Sequence, residues 1–218
     1  MKISNILIEW YKKNARDLPW RHTRDPYCIW ISEIILQQTQ VKQGFSYYNR
    51  FVQKYPDVAA LASATEEELL RLWQGLGYYS RVRNLLAASK QIISEYNGKI
   101  PDNFKQLRKL SGVGDYTAGA IASIAFNEPV VAIDGNVSRV ISRISGINIS
   151  VNNSEGKKLI YNLVSDILDK KEPGIFNQAI MEFGALQCKP ANPVCDRCPL
   201  NQICMAFSNG MVSRIPLR

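Results

Sequence analysis

The stretch Leu110–Arg143, LSGVGDYTAGAIASIAFNEPVVAIDGNVSRVISR, decides the fold of this chain. Gly112 and Gly114 interrupt helical apolar spacing on both sides, which predicts a helix, a tight hairpin at Gly112, Val113 and Gly114, and a second helix. Glycine permits a positive φ and a close approach to another surface. The N–H groups that begin the second helix suit a phosphate, although a plain helix–helix turn explains the same pattern.

Helical spacing continues outward from this stretch in both directions, and strand alternation is almost absent. We predict helices at residues 3–11, 27–41, 45–55, 65–73, 79–97, 136–144, 155–168 and 173–186. Thr65 and Glu68 have the spacing of a capping box, which supports one of these starts. The chain is therefore predicted to be all-α.

The charge balance favours a polyanionic partner. The net charge is +8 over 218 residues, and the excess of Lys and Arg is spread along the chain. A broad positive surface is typical of nucleic-acid binding, although a basic globule without such a partner is an alternative. No apolar run reaches the ~20 residues of a membrane span, and the N-terminus lacks the pattern of a signal peptide. We expect a soluble protein without a membrane partner.

Four of the five cysteines lie close together near the C-terminus: Cys188, Cys195, Cys198 and Cys204. Disulfides are disfavoured in a reducing compartment, so this C-x6-C-x2-C-x5-C spacing predicts a metal site. Structural zinc usually takes two close cysteine pairs, and only one is present here. The spacing therefore favours a 4Fe-4S cluster, with zinc as the alternative. The fifth cysteine, Cys28, stands alone in an apolar context.

Two acidic residues are candidates for chemistry. Glu33 lies among isoleucines, where burial would disfavour its ionised form and retain the proton that a general acid donates. A polar residue on an exposed helical stripe is the alternative explanation. Asp134 precedes Gly-Asn at a predicted helix start, which is typical of a helix N-cap. A carboxylate held by backbone N–H groups also stays ionised and can face a positive charge.

The hairpin, the aspartate after it and the cysteine loop together resemble the helix-hairpin-helix DNA glycosylases of the endonuclease III superfamily. This resemblance covers nearly the whole chain. Three shorter segments resemble the MutY-type adenine glycosylases in particular. They are WISEIILQQTQV at 30–41, GLGYYSR at 75–81 and DGNV at 134–137.

The resemblance implies a bilobal all-α fold with an iron-sulfur loop. One lobe, residues 22–132, would be a helical barrel that contains the hairpin. The other would combine residues 1–21 with 133–218, including the cluster loop 188–204. The active site is expected in the cleft between the lobes, where Glu33 and Asp134 would converge.

The MutY-type pattern also implies a role for each candidate. Glu33 would protonate N7 of a flipped adenine. Asp134 would be the electrostatic or covalent stabiliser of the oxocarbenium-like sugar, with Asn136 supporting it. Tyr116 stands where members that also cut the backbone carry a Schiff-base lysine, so little or no lyase activity is expected. Hairpin packing is the alternative explanation for Tyr116.

Further matches concern substrate contacts. The resemblance matches four residues to the lining of the adenine pocket: Trp20, Arg21, Leu36 and Glu182. Each of them also suits a core or surface position. Gln38 and Tyr78 match residues that wedge into the duplex beside the opposite base, where they would offset lost stacking. The one histidine, His22, lies in a charged loop and is expected at the surface rather than as a ligand.

The implied function is that of a monofunctional adenine DNA glycosylase of base excision repair. Its expected partner is double-stranded DNA with adenine mispaired with guanine or 8-oxoguanine. We expect a monomer in the cytoplasm, associated with the nucleoid if the source is bacterial. MutY-type proteins usually continue into a domain that reads 8-oxoguanine, so this chain is either a truncated core or naturally short. The alternatives are a thymine or uracil glycosylase acting on T opposite G, and a non-enzymatic DNA-binding iron-sulfur protein.

Overall fold

The computed structural model describes residues 2–217, and every regular element within them is helical. The α-helices are α1 (Ile3–Asn14), α2 (Pro26–Leu36), α3 (Val41–Lys54), α4 (Val58–Ala62), α5 (Glu66–Trp73), α6 (Ser80–Glu95), α7 (Phe104–Leu107), α8 (Asp115–Phe126), α9 (Gly135–Ser145), α10 (Ser154–Ile167), α11 (Pro173–Leu186) and α12 (Met205–Ser208). The described range contains one isolated β-bridge, Ser150 with Leu217, and no strand. The all-α prediction is confirmed. No helix in this range is long and apolar enough to cross a membrane.

The chain divides into two compact units. The hairpin unit comprises residues 17–128, and the cysteine unit comprises the residues up to Arg16 together with those from Pro129 onward. The sequence analysis set these boundaries at residues 22 and 132. Helix α1 belongs to the cysteine unit because it packs against α11, near the other end of the chain. The Trp10 and Phe183 rings meet there edge to face, with their centroids 4.9 Å apart.

The core of the hairpin unit forms where α2 packs against α3 and α8. The apolar face of α2 is almost completely buried. The buried positions of α8 are mostly small: Thr117, Ala118, Gly119, Ala120, Ile121, Ala122 and Ser123. Small side chains let two helices approach closely, so α8 can hold the turn that precedes it close to α2. This packing positions the candidate residues of the hairpin unit.

The capping-box prediction is confirmed at α5. Glu68 N–H donates to the Thr65 hydroxyl at 3.2 Å, and Thr65 N–H donates to the Glu68 carboxylate at 3.0 Å. Asp57 caps α4 in a similar way by accepting from the Ala60 N–H. The sequence analysis missed α4, because a helix of five residues carries too little periodicity to recognise.

The predicted helix 27–41 is wrong at its C-terminal end. Helix α2 ends at Leu36, and α3 begins at Val41, earlier than predicted. Gln38, between the two helices, adopts a left-handed φ of +54°. The residues that follow Leu36 are polar, and the backbone turns away there while the carbonyls of Ile34, Ile35 and Gln37 bind the Arg81 side chain from α6. Gln37 and Gln40 therefore do not share a helical stripe with Glu33.

The core of the cysteine unit is formed by α1, α9, α10 and α11. Fully buried Asn177, on α11, holds the extended segment that leads to α9. Its Oδ1 accepts from the Ala132 N–H at 3.1 Å, and its Nδ2 donates to the Val130 carbonyl at 2.9 Å. These two bonds fix the backbone just before Asp134.

Candidate active site

The predicted hairpin lies between α7 and α8, and only one of its glycines needs to be glycine for backbone reasons. Gly112 has a left-handed φ of +72°, and a Cβ there would lie 2.5 Å from the Cβ of Asn84 on α6. Gly114 has a φ of −85° and is the N-cap of α8. Because glycine has no capping side chain, the first N–H groups of α8 lack a cap from this residue.

Arg108 closes the hairpin from the α7 side. Its Nη1 donates to the carbonyl of Val113 at 2.8 Å, and its Nε forms an ion pair with Asp115 at the start of α8. The Val113 side chain is buried, whereas the neighbouring glycines are exposed. The hairpin is thus a closed turn with its backbone at the surface, a form that suits a contact with a DNA phosphate.

The structure brings Glu33 and Tyr116 together. Glu33 is partly buried near the C-terminal end of α2, and Tyr116 lies in the first turn of α8. The Tyr116 hydroxyl donates to Glu33 Oε2 at 2.5 Å. Tyr116 therefore does more than pack within the hairpin, because it orients an acidic side chain on a largely apolar helix.

Asp134 is the N-cap of α9, as its sequence context predicts. Its Oδ1 accepts from the Val137 N–H at 2.8 Å, and its Oδ2 accepts from the Asn136 amide at 2.7 Å. Burial raises the pKa of Asp134, and the hydrogen bonds act in the opposite direction without outweighing it. This differs from the expectation that those hydrogen bonds would dominate and keep the carboxylate ionised.

Hydrogen bonds continue from Asp134 to the cysteine loop. Arg139 Nη2 donates to Asn136 Oδ1 and to the carbonyl of Gly184, both at 2.8 Å. Arg139 Nε donates to the carbonyl of Cys188, also at 2.8 Å. A Cβ on Gly184 would lie 2.6 Å from the Cβ of Asn136, so only glycine allows α11 this close to α9. The sequence analysis missed Arg139 and Gly184.

A protein-family match includes most of the candidate site residues described above. The family model described as "HhH-GPD superfamily base excision DNA repair protein" matches residues 31–165. That span contains Glu33, the hairpin and Asp134. The chain belongs to this superfamily. The predicted resemblance to helix-hairpin-helix DNA glycosylases is thereby confirmed.

Among curated proteins, this HhH-GPD chain is similar to adenine DNA glycosylases. The enzyme of Mus musculus is 42% identical over 224 residues, which cover 97% of this chain and 44% of that protein. The enzyme of Buchnera aphidicola subsp. Acyrthosiphon pisum is 37% identical over 99% of this chain and 62% of that protein. The chain spans about half the length of the curated relatives it matches.

Solved structures show the same HhH-GPD fold. A thermostable thymine-DNA glycosylase matches with a TM-score of 0.87 and 30% identity, over 94% of this chain and 95% of that one. A non-covalent complex of endonuclease III with DNA matches with a TM-score of 0.81 and 26% identity, over 95% of this chain and 94% of that one.

Three of the four residues matched to an adenine pocket lie in the hairpin unit of this HhH-GPD chain. Trp20 is buried with its ring edge on Tyr48, Arg21 is partly buried, and Leu36 is the last residue of α2. Glu182 lies in the cysteine unit, 2% exposed, with both carboxylate oxygens bound by Arg16. The Arg16 guanidinium reaches Oε1 at 2.8 Å and Oε2 at 2.5 Å.

The two predicted wedge residues share an unusual conformation. Gln38 and Tyr78 are exposed, and both are non-glycine residues with a positive φ, +54° and +47°. The Tyr78 side chain is the most exposed of the large apolar ones, at 62%. His22 lies at the surface as predicted, where its Nε2 contacts Asp17.

The four clustered cysteines are partly buried and line one shared pocket. Arg143 Nη1 donates to Cys188 Sγ at 3.5 Å, and Cys204 Sγ donates to the Arg143 carbonyl at 3.4 Å. Within residues 2–217, no three His, Cys, Asp or Glu side chains are arranged to hold a single metal ion. Cys28 belongs to the hairpin unit.

Proposed function

We propose that this chain acts as a monofunctional adenine DNA glycosylase of base excision repair. The observation that carries this proposal is the 42% identity to an adenine DNA glycosylase across 97% of the chain. The match to the thymine-DNA glycosylase structure is weaker in sequence, at 30% identity. Membership in the HhH-GPD superfamily and the contact between Glu33 and Tyr116 agree with the proposal.

In this mechanism Glu33 is the general acid. Its carboxyl proton passes to N7 of the adenine, and the glycosidic bond then breaks with its electron pair remaining on the base. Tyr116 holds the carboxyl in one orientation through the bond to Oε2. A carboxyl group that is already oriented loses little entropy on reaching the transition state. The hydrogen bond from Tyr116 therefore raises the rate, although the phenol itself does not react.

Asp134 stabilises the sugar as the base leaves. The sugar becomes an oxocarbenium-like cation, and a nearby carboxylate stabilises it electrostatically or by a covalent bond. Water then adds at C1′, displaces the carboxylate where that bond has formed, and releases one proton to solvent. Because Asp134 is buried, its negative charge is poorly solvated in the free protein, and its pKa is raised. A cation that forms beside such a carboxylate interacts with it more strongly than it would in water.

The product of this reaction is an abasic site with an intact backbone. A lyase step requires an amine that forms a Schiff base with the sugar. At the hairpin position the chain carries Tyr116, whose phenol cannot do so, and that phenol is bound to Glu33. We therefore propose little or no lyase activity.

The cofactor we propose is a 4Fe-4S cluster held by Cys188, Cys195, Cys198 and Cys204. The C-x6-C-x2-C-x5-C spacing carries this proposal, and all four cysteines line one shared pocket. When bound, the cluster would cross-link the cysteine loop. Arg143 would set the loop's position, since it donates to the carbonyls of Lys189 and Pro190 at 2.7 and 3.1 Å. Iron and sulfide analysis of anaerobically purified protein tests this, and zinc without iron would contradict it.

The substrate we propose is double-stranded DNA that contains adenine opposite guanine or 8-oxoguanine. The net charge of +8 supports a DNA partner. We further propose that the protein acts as a monomer in the cytoplasm, on the nucleoid if the source is bacterial.

The test is a strand-cleavage assay. Duplexes that contain A opposite G, A opposite 8-oxoguanine or T opposite G, each labelled on one strand at a time, are incubated with the protein and then treated with alkali. A fully paired A–T duplex is the control. We expect alkali-labile sites only in the adenine strand of the first two duplexes. Cleavage of only the thymine strand would contradict the proposal, and so would no cleavage at all.

A further inference from the structure

One buried guanidinium binds two turns of the hairpin unit, one before Gln38 and one before Tyr78. Arg81, on α6, is 8% exposed. Its Nη1 lies 3.1 and 3.0 Å from the carbonyls of Ile34 and Ile35, and 2.5 Å from that of Gln37. Its Nη2 donates to the carbonyls of Leu76 and Gly77 at 3.2 and 3.1 Å. These carbonyls belong to two segments that are far apart in the sequence.

The first segment is the end of α2 and the turn after it. The last four carbonyls of a helix have no partner within the helix, and a cation near them is also favoured by the helix dipole. Arg81 satisfies both requirements, because it binds two carbonyls in the last turn of α2 and a third at Gln37. This explains why the helix stops and the chain turns at Gln38.

The second segment is the turn that leads to Tyr78. The Arg81 guanidinium lies 5.7 Å from the centre of the Tyr78 ring and 5.3 Å from that of Trp73. Tyr47 also supports this turn, since its hydroxyl donates to the Gln74 carbonyl at 2.6 Å. Tyr47 donates a hydrogen bond to the second segment only, whereas Arg81 donates hydrogen bonds to both segments.

The left-handed φ angles of Gln38 and Tyr78 need such support. A non-glycine residue in this region carries strain of the order of 1 kcal/mol and persists only where its surroundings hold it. The two residues follow directly after the carbonyls of Gln37 and Gly77, both of which Arg81 binds. Trp73 Nε1 also donates to the Gly77 carbonyl at 3.1 Å, but that bond stays within the second turn, whereas the planar, rigid Arg81 group donates to both turns.

We propose that Arg81 is a positioning residue that holds Gln38 and Tyr78 at a fixed separation, so that the two exposed side chains act on duplex DNA as one unit. Arg81 does not touch the DNA in this scheme. The inference rests on the proposed function, because it assumes that Gln38 and Tyr78 enter a duplex from which a base has been extruded. Lysine cannot replace arginine here, since a single ammonium cannot span the carbonyls of both segments.

The test is a double-mutant cycle on DNA binding. Four proteins are compared: wild type, Arg81→Lys, the pair Gln38→Ala with Tyr78→Ala, and the combination of all three changes. Affinity is measured by fluorescence anisotropy on a duplex with a tetrahydrofuran abasic analogue opposite guanine. We expect Arg81→Lys to weaken binding about tenfold in the wild-type background and less than twofold when both wedge residues are alanine. The matched control is Arg83→Lys, since Arg83 is exposed on the same helix and forms an ion pair with Glu66 at 2.7 Å.

A second readout separates positioning from a general loss of stability. The melting temperature is measured for all four proteins, and we expect Arg81→Lys to lower it equally in both backgrounds, because the bonds to α2 are lost in each. A purely structural role predicts that the loss of affinity is also equal in both backgrounds, and that result would overturn the inference. An Arg81→Lys protein that binds like wild type would overturn it too.

Adenine excision by the same wild-type preparation tests the proposed function separately. If excision is intact but the cycle shows no coupling, the role of Arg81 alone is refuted. If the wild type neither excises adenine nor prefers the abasic duplex to an undamaged one, the proposed function and this inference are both refuted.

Discussion

Asp134→Asn should separate the two roles of this residue, as a helix cap and as a charge. Asparagine caps helices as well as aspartate does, so the bond from the Val137 N–H at 2.8 Å can be kept. The negative charge that would stabilise the sugar is lost. Removing one preorganised electrostatic contact of this kind reduces the rate by about 10²–10³-fold, or about 2.7–4 kcal/mol. We expect single-turnover excision to fall by that factor.

The stability of the same variant follows from the pKa of Asp134. Because burial raises this pKa, the native state binds a proton at the carboxyl more tightly than the unfolded chain does. The wild type therefore gains stability as the pH falls through the native-state pKa and loses it as the pH rises. Asp134→Asn lacks this dependence. At neutral pH the loss of the bond from the Asn136 amide offsets part of the gain from removing a buried charge, so the variant should melt close to wild type, and its melting temperature relative to wild type should fall as the pH falls.

Asp134→Ala is the control, because it removes both the cap and the charge. Loss of the cap costs about 1 kcal/mol, which lowers the melting temperature by roughly 2–4 °C in a chain of this size. Excision is followed by quenched-flow sampling and alkali cleavage, and unfolding by circular dichroism at several pH values. An Asp134→Asn protein that excises at the wild-type rate, or that melts as low as Asp134→Ala, would refute this reasoning.

Three further predictions concern other parts of the chain. Gly184→Ala should lower both the excision rate and the melting temperature, because the added Cβ would lie 2.6 Å from the Cβ of Asn136. An unchanged excision rate would show that the close approach of Gly184 to Asn136 does not affect Asp134. Thr65→Ala should cost about 1 kcal/mol in chemical denaturation by breaking the capping box with Glu68, without changing excision; a changed rate would contradict this. The logarithm of the affinity for duplex DNA should fall steeply and linearly with the logarithm of the salt concentration. An affinity that does not change with salt would argue against phosphate contacts.

Local patterns were enough to predict the helices that are long and well bounded. The helix predicted at 173–186 has these same bounds in the structure, because Pro173 begins it and its apolar residues keep a regular period. The capping box at Thr65 is likewise a local pattern that short-range hydrogen bonds determine. Positions such as these depend on neighbours in the sequence, so the sequence reveals them.

The features that depend on distant residues could not be predicted from the sequence. The end of α2 is set by Arg81, which lies 46 positions from Ile35 and carries no local signal of that contact. The bond from Arg139 to the Cys188 carbonyl spans 49 positions in the same way. An i, i+3 pair, Asn136 with Arg139, was visible in the sequence and could have suggested part of this network.

The candidate site was predicted in part by residue type and in part by resemblance. Its acidic residues were singled out from burial and capping patterns, and their roles came from the resemblance to a family. The contact between Glu33 and Tyr116 spans 83 positions and arises only because α2 packs against α8. The raised pKa of Asp134 also required the structure, because the sequence shows the capping N–H groups but not the burial that opposes them.

The central claim is that this chain releases adenine from DNA by using Glu33 as an acid. The most direct measurement is mass spectrometry of the free base after a single turnover on a duplex that contains A opposite 8-oxoguanine, with wild type and Glu33→Gln side by side. The account predicts one adenine per active wild-type molecule and none from Glu33→Gln, which should still bind the duplex. Release of thymine from a T-opposite-G duplex instead of adenine, or undiminished adenine release by Glu33→Gln, would contradict it.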